Sequence, residues 1–140
     1  MRLIVALLLV LWTGAVSSAP ITPDEVRVID GDTIRIGHQR PDVRLVGFNA
    51  PETRRAICEA ERELGDKATA RLRDLVRSSK LDFEFVACAY QPGTEGMPSC
   101  NYGRRCGTLK AKGRDVGAVL ISENLAVPTR YPPTPKPWCK

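Results

Sequence analysis

Short apolar or alternating segments separated by turn residues dominate the chain, and this pattern predicts β-strands. The predicted strands are Val26–Ile29, Thr33–Ile36, Val43–Phe48, Leu81–Cys88 and Cys106–Lys110. Three of them come before residue 50, with Asp30-Gly31-Asp32 as a turn between the first two. Strands this short and this closely spaced favour a small antiparallel barrel over a helical bundle.

One long segment has helical periodicity instead. From about Ala60 to Ser78, apolar residues recur at three- and four-residue spacing on one face. The remaining positions carry charge, mostly positive: Lys67, Arg71, Arg73, Asp74 and Arg77. Such a face is usually a solvated surface, although it could also meet phosphate. A second, short helix is predicted from Val116 to about Asn124. Strands with packed helices make the expected class α+β.

The N-terminus has the pattern of a secretory signal peptide. Arg2 precedes an apolar run of ten residues, Leu3–Trp12, which small residues follow. The run is too short to span a bilayer comfortably. Cleavage after Ser17 or Ala19 fits the pattern, and an uncleaved membrane anchor is the alternative. We therefore expect a secreted or periplasmic protein without a membrane span after cleavage.

The length of the chain limits its organisation. Its 140 residues accommodate one sizeable core, so we expect a signal peptide over residues 1–19, one domain over 20–127 and a proline-rich tail over 128–140. The formal net charge of +5 makes an anionic partner plausible, with nucleic acid the first candidate. We expect a monomer.

The cysteines agree with export. Five are present, and an oxidising compartment permits disulfides between them. No CxxC pair occurs, so a zinc site has little support. The sequence does not select among the possible pairings. A bridge at the base of the loop flanked by Cys88, Cys100 and Cys106 is expected, and Cys139 would hold the tail.

Five charged side chains are candidates for chemistry. Asp30 and Asp32, on the glycine-centred turn, and Glu52, beyond the third strand, could supply oxygen ligands for a hard cation such as calcium, although a plain turn is the simpler interpretation of Asp30-Gly31-Asp32. Arg44 lies inside an apolar strand, where a charge needs a partner or a ligand. Arg104 follows Tyr102-Gly103. A guanidinium matches phosphate geometry, so two of them with a carboxylate and a cation would form a phosphodiesterase site.

These segments together resemble the staphylococcal (thermonuclease-type) nuclease family. The resemblance is carried by Val28-Ile29-Asp30-Gly31-Asp32-Thr33-Ile34, by the segment Val43–Thr53 and by Tyr102-Gly103-Arg104, in that order. The separation from Arg44 to Glu52 also matches the family, and Asn124-Leu125-Ala126 is similar to its helix-closing Gly-Leu-Ala. The resemblance covers residues 26–127.

What the resemblance implies is a five-stranded OB-fold barrel with packed helices that uses Ca²⁺ to cleave DNA and RNA. Arg44, Glu52 and Arg104 match its catalytic positions, with Glu52 handling the attacking water and the arginines gripping phosphate. Asp32, Asn49 and the Ala50 carbonyl match its metal ligands. Tyr102 matches an aromatic residue beside the bound nucleotide. Asn49 departs from the family, which usually has Asp there, so calcium affinity should fall.

The resemblance leads to one main hypothesis and two alternatives. The main hypothesis is a calcium-dependent nuclease with little sequence selectivity. The first alternative is a catalytically silent OB-fold that only binds nucleic acid, because Asn49 has disabled the metal site. The second is an envelope protein-interaction module, against which the joint retention of Arg44, Glu52 and Arg104 speaks, since buried charge without a ligand is costly.

Overall fold

The computed structural model describes residues 19–78, 80–88, 101–129 and 136–139. Its helices are α1 (Glu59–Arg77) and α2 (Val116–Ser122), with two short 3-10 turns at Pro23–Glu25 and Asn101–Gly103. Its strands are β1 (Ala19–Ile21), β2 (Val26–Asp30), β3 (Thr33–Ile36), β4 (Val43–Leu45), β5 (Phe48–Asn49), β6 (Leu81–Val86), β7 (Arg105–Ala111), β8 (Arg114–Asp115) and β9 (Val127–Pro128).

The strands form one large sheet and one small one. The large sheet has the order β1-β6-β7-β4-β3-β2, with β8 paired to β7, and it curls into a half barrel. Neighbouring strands are antiparallel except for β4 and β7, which run parallel. β5 and β9 pair separately. The predicted α+β class is confirmed.

The large sheet contains seven strands within the described ranges, two more than the five predicted, so the five-stranded barrel is not confirmed. The strand β1 is only three residues long and includes Pro20, so the sequence shows no alternating pattern there. It lies on a sheet edge, where the missing N–H of proline is tolerated. Two-residue β8 is too short to show periodicity.

The predicted third strand, Val43–Phe48, divides in two. Gly47 has a φ of +94°, which breaks the extended backbone after β4. Phe48 then pairs with Pro128, so the first residue of the predicted tail belongs to a strand. The other predicted strands form within one or two residues of the expected bounds.

The core lies between the curled sheet and the two helices. Its fully buried side chains come from β3, β4, β5, α1, β6, β7 and α2, and include Ile34, Val43, Leu45, Phe48, Leu72, Leu81, Leu109 and Leu120. The long helix confirms the predicted segment. Its buried stripe also contains Glu61, Gly65 and Thr69, which apolar periodicity could not reveal.

Two disulfides join described residues. Cys88–Cys106 closes the base of the loop between β6 and β7, as predicted. Cys58–Cys139 joins the N-cap of α1 to the tail, as expected for Cys139. Cys100 and the predicted signal peptide, apart from the backbone of Ala19, lie outside the described residues. In the described ranges, neither helix has the length and apolar character needed to traverse a bilayer.

The two helices are joined by an ion pair. Arg71 of α1 donates two hydrogen bonds of 2.7 Å to the carboxylate of Glu123, at the C-cap of α2. These bonds hold the pKa of Glu123 below its ordinary value of 4.5. The folded carboxylate therefore binds a proton less readily than the unfolded one. The pair stabilises the fold above pH 4.5, and this contribution is lost as the pH falls through the folded pKa.

We expect Arg71→Gln to lower the free energy of unfolding near pH 7 by less than about 1 kcal/mol, because the pair is partly exposed. The difference in the free energy of unfolding between the variant and wild type should disappear at acid pH. Urea unfolding at about pH 7 and about pH 3 measures this, with Arg73→Gln on the same helix as the control. A deficit of equal size at both pH values would contradict the assignment.

Candidate functional site

Asp32 ties the β2–β3 turn to the segment after β5. The Asp32 backbone N–H donates to Oδ1 of Asp30 over 3.1 Å, which closes the turn. The Asp32 carboxylate accepts from the Ala50 N–H at Oδ2 over 2.9 Å and from the Thr33 hydroxyl at Oδ1 over 3.2 Å. One predicted metal ligand thus fixes the backbone of another.

The partner that Arg44 requires is Asp32. The guanidinium of Arg44 forms an ion pair with Oδ2 of Asp32, and the two side chains are only 15% and 14% exposed. Nη2 of Arg44 also donates to the Phe48 carbonyl over 3.0 Å and to Oδ1 of Asn49 over 2.7 Å. Because one guanidinium contacts both Asp32 and Asn49, their side-chain oxygens lie close together.

Arg104 approaches the same turn from the start of β7. Its Nη1 donates to the Thr33 hydroxyl over 3.2 Å. Nε and Nη2 donate to the carbonyl and side-chain oxygens of Asn101, over 3.1 and 2.8 Å. Asn101 is buried and has a φ of 57°, a conformation that asparagine tolerates better than most residues.

These contacts form a continuous hydrogen-bonded network, which we call the Asp32 network. Its members are Asp32, Thr33, Arg44, Asn49, Asn101 and Arg104. Thr33 is the link, since its hydroxyl accepts from Arg104 and donates to Asp32. The two arginines that lie sixty positions apart in sequence are therefore joined through two side chains. A cavity of about 80 Å³ beside the network is lined by Arg44, Asn49 and Asn101, among others.

Glu52 lies two residues after Ala50, in a loop that α1 holds in place. Its side chain is 37% exposed and lies 4.0 Å from Nε of Arg55. The backbone N–H of Glu52 donates to Oε1 of Glu61 over 3.3 Å, and the N–H of Ile57 donates to Oε2 over 2.9 Å. Glu61 is only 3% exposed, so a buried carboxylate supports both ends of the loop.

The loop also requires a glycine in α1. A Cβ at Gly65 would lie 2.7 Å from the carbonyl oxygen of Glu52 and 2.8 Å from that of Pro51. Only a residue without a side chain therefore lets the helix pack this closely against the loop. Glu61 and Gly65 are one helical turn apart and act on the same loop.

The structure thus assembles most of the predicted site residues and adds three. Asp32, Arg44, Asn49 and Ala50 are in direct contact, and Arg104 joins them through Thr33. Glu52 follows in the supported loop. The Tyr102 side chain lies outside the described part of the chain. Sequence reasoning missed Thr33, Asn101 and Glu61. Thr33 and Asn101 each stand within three residues of a predicted site residue. Glu61 carried a weaker signal, as a charge on the apolar face of a helix.

The oxygen donors at the site suit a hard cation. Asp32, Asn49 and the Ala50 carbonyl are the ligand types that Ca²⁺ accepts. Among the described residues, no group of three or more His, Cys, Asp and Glu side chains is arranged to hold a metal. The set therefore has one carboxylate, and Arg44 contacts the same Asp32 and Asn49 oxygens.

We expect Glu61→Gln to lower the free energy of unfolding by about 1–3 kcal/mol, because its amide NH₂ would face a backbone N–H that loses its acceptor. Urea unfolding measures the change. The exposed neighbour Glu63→Gln is the matched control and should shift stability by less than about 0.5 kcal/mol. Equal effects in the two variants would show that Glu61 does not support the loop.

Comparison with known proteins finds that the chain is similar to two endonucleases. The chain is 32% identical over 102 residues to the endonuclease YncB of Bacillus subtilis, which covers 71% of this chain and 44% of that protein. It is 31% identical over 102 residues to the SPbeta prophage-derived endonuclease YokF of the same organism, covering 71% of this chain and 31% of that protein. No family model matches the chain. The chain is therefore similar to two endonucleases and spans less than half the length of each.

Proposed function

We propose that the chain is a calcium-dependent nuclease that hydrolyses phosphodiester bonds of DNA and/or RNA with little sequence selectivity. The observation that carries the proposal is the Asp32 network, in which Arg44 and Arg104 are joined through Thr33 and Asp32. Similarity to two proteins named endonucleases supports the same reaction class.

The strand order supports an OB-fold core of the staphylococcal nuclease type. The strands β2, β3, β4, β7 and β6 follow one another across the curled sheet, and they correspond to the five strands predicted from the sequence. On this interpretation β1 is an addition beside β6 and β8 is a short hairpin partner of β7, and both are added to a five-stranded core.

The network suits the charge that phosphodiester hydrolysis creates. Negative charge grows on the nonbridging oxygens while water attacks in line, and guanidinium donors stabilise it best when fixed beforehand. Arg44 and Arg104 are held by protein acceptors that an incoming phosphate would partly replace. Recognition directed at phosphate carries little base information, which agrees with low sequence selectivity.

Glu52 is proposed to orient or deprotonate the attacking water. The carboxylate of Glu52 is partly exposed and takes no part in the Asp32 network. Glu61 holds the backbone of Glu52 in place through a hydrogen bond to its N–H. A carboxylate acts on water efficiently only when its position is set in advance. Glu61 is in this sense a positioning residue.

Calcium is proposed to lie at Asp32, Asn49 and the Ala50 carbonyl, where its charge would stabilise the same phosphoryl oxygens. Asn49 lowers the negative charge of the donor set. This specific feature also favours the second candidate, an OB-fold that binds nucleic acid without cleaving it. We propose a secreted or periplasmic monomer, and the two disulfides support an oxidising compartment.

The deciding experiment is metal-dependent hydrolysis of single-stranded DNA and RNA by the purified chain. Calcium should produce cleavage that a chelator abolishes and excess calcium restores. Glu52→Gln serves as the control for a contaminating nuclease and should be inactive. Binding without cleavage under calcium, magnesium and manganese would favour the silent module instead.

We expect Arg104→Ala to lower turnover by about 10³-fold, because it removes a preformed donor for the transition-state charge. Steady-state kinetics on a short oligonucleotide measure this effect. Arg105→Ala is the neighbouring control, since the Arg105 guanidinium lies over the Phe85 ring at 4.5 Å. Equal turnover in Arg104→Ala and wild type would remove Arg104 from the catalytic site.

We expect Asn49→Asp to tighten calcium binding, because a second carboxylate raises the charge of the donor set. Calorimetric titration with calcium should give a dissociation constant at least about 10-fold lower than that of wild type. Asn101→Asp changes the same residue type outside the donor set and serves as the comparison. Weaker binding by Asn49→Asp would place the cation elsewhere.

A further inference from the structure

A wide, open groove runs beside α1, outside the Asp32 network. It has a volume of about 740 Å³ and is lined by three arginines, Arg54, Arg62 and Arg73, together with Thr53 and Asp66. Thr53 and Arg54 directly follow Glu52 in sequence. The groove therefore begins at the loop that carries the proposed water-handling carboxylate.

A second depression continues the first. It has a volume of about 360 Å³, shares Arg73 and adds Arg27 of β2 and Arg77 of α1. We call the two depressions together the α1 groove, defined by its five arginines. These residues come from the Glu52 loop, from β2 and from one side of α1, so the positive charge is assembled by tertiary structure.

The charge in the groove is poorly compensated. Arg54 and Arg73 make no ion pair with any described residue. Arg62 and Arg77 form only long, exposed pairs, at 3.5 Å from Glu59 and 3.8 Å from Asp74. Such pairs contribute little and are easily exchanged for a stronger anion. Asp66 is the one carboxylate lining the two depressions.

The remaining arginine of this helix provides the contrast. Arg71 donates two hydrogen bonds to the carboxylate of Glu123, which directs its guanidinium toward α2. Charge on the α2 side is thus neutralised by a close, two-bonded pair, while the arginines on the groove side have only long, exposed pairs or no pair with a described residue. The basic face predicted from the sequence is divided by the fold into these two parts.

The length of the groove fits several nucleotides. Arg62 and Arg77 are fifteen positions apart in α1, which corresponds to about 22 Å at a rise of 1.5 Å per residue. One strand of a B-form duplex places a phosphate about every 3.4 Å along the axis, so about six phosphates span this distance.

Resting on the proposed nuclease function, we infer that the α1 groove binds the phosphodiester backbone of a polynucleotide strand beyond the scissile bond. The arginines contact phosphate rather than bases, so this binding is independent of sequence. Long strands should therefore bind more tightly than short ones, through contacts several nucleotides from the site of cleavage.

The test compares two triple variants that remove equal charge. The groove variant is Arg54→Gln/Arg62→Gln/Arg73→Gln. The control variant is Lys110→Gln/Lys112→Gln/Arg114→Gln, in the β7–β8 hairpin, whose residues line neither depression. Urea unfolding first establishes that both variants are folded.

Binding is measured by fluorescence anisotropy with labelled oligonucleotides of about 4 and about 20 nucleotides, as DNA and as RNA, in a chelator that prevents hydrolysis. The groove variant should weaken binding of the long strand at least about 10-fold and leave the short one within about 2-fold. For the groove variant, the slope of log K against log salt concentration should be smaller in magnitude by about 2. Three phosphate contacts are lost, and each contributes about 0.7 to the slope for a single strand. The control variant should leave both strands within about 2-fold.

Two results would overturn the inference. Equal weakening in both triple variants would show that only net charge matters, and unchanged binding of the long strand by the groove variant would show that the groove is not used. Because the assay contains no metal, it is independent of cleavage. Absence of hydrolysis by the wild-type chain with calcium would refute the proposed nuclease activity without changing the binding result.

Discussion

The ion pair between Asp32 and Arg44 is the interaction on which the site depends. Both side chains are largely buried, so neither charge is tolerable without the other. The pair joins the β2–β3 turn to β4. Its remaining hydrogen bonds fix the side chain of Asn49, the backbone of Ala50 and, through Thr33, the position of Arg104. The carboxylate and guanidinium groups of the site therefore already hold one another in place. The phosphate and the cation that we propose for this site would compete with these existing contacts.

A second buried charge, that of Glu61, holds the loop that carries Glu52. No cation among the described residues pairs with Glu61, whose carboxylate instead accepts hydrogen bonds from the N–H groups of Glu52 and Ile57. A carboxylate that accepts backbone hydrogen bonds rigidifies a loop that has no regular structure of its own. Gly65 removes the steric barrier to the same contact. The helix α1 thus has two functions that its apolar face does not reveal: it supports the Glu52 loop and, on its outer side, presents the α1 groove.

The sequence predicted elements well where a local pattern decided them and poorly where a partner did. Alternation in Leu81–Val86 and helical periodicity in Glu59–Arg77 reflect burial of one face, which is a local property of the chain. β1, β8 and β9 are two or three residues long and exist because a longer strand offers them hydrogen bonds. The division of the predicted third strand follows from Gly47, whose positive φ was not apparent from an apolar run.

The same distinction applies to the site. The sequence by itself determined which groups are present: Asp32 on a turn, Arg44 inside a strand, Glu52 after a strand and Arg104 before one. Only the tertiary structure decided that Thr33 and Asn101 connect them, that Glu61 supports the Glu52 loop, and which of the helix arginines remain uncompensated. The reason is physical. Burial and hydrogen-bond partners are properties of groups brought together from distant parts of the chain, and no local pattern of polar and apolar residues records them.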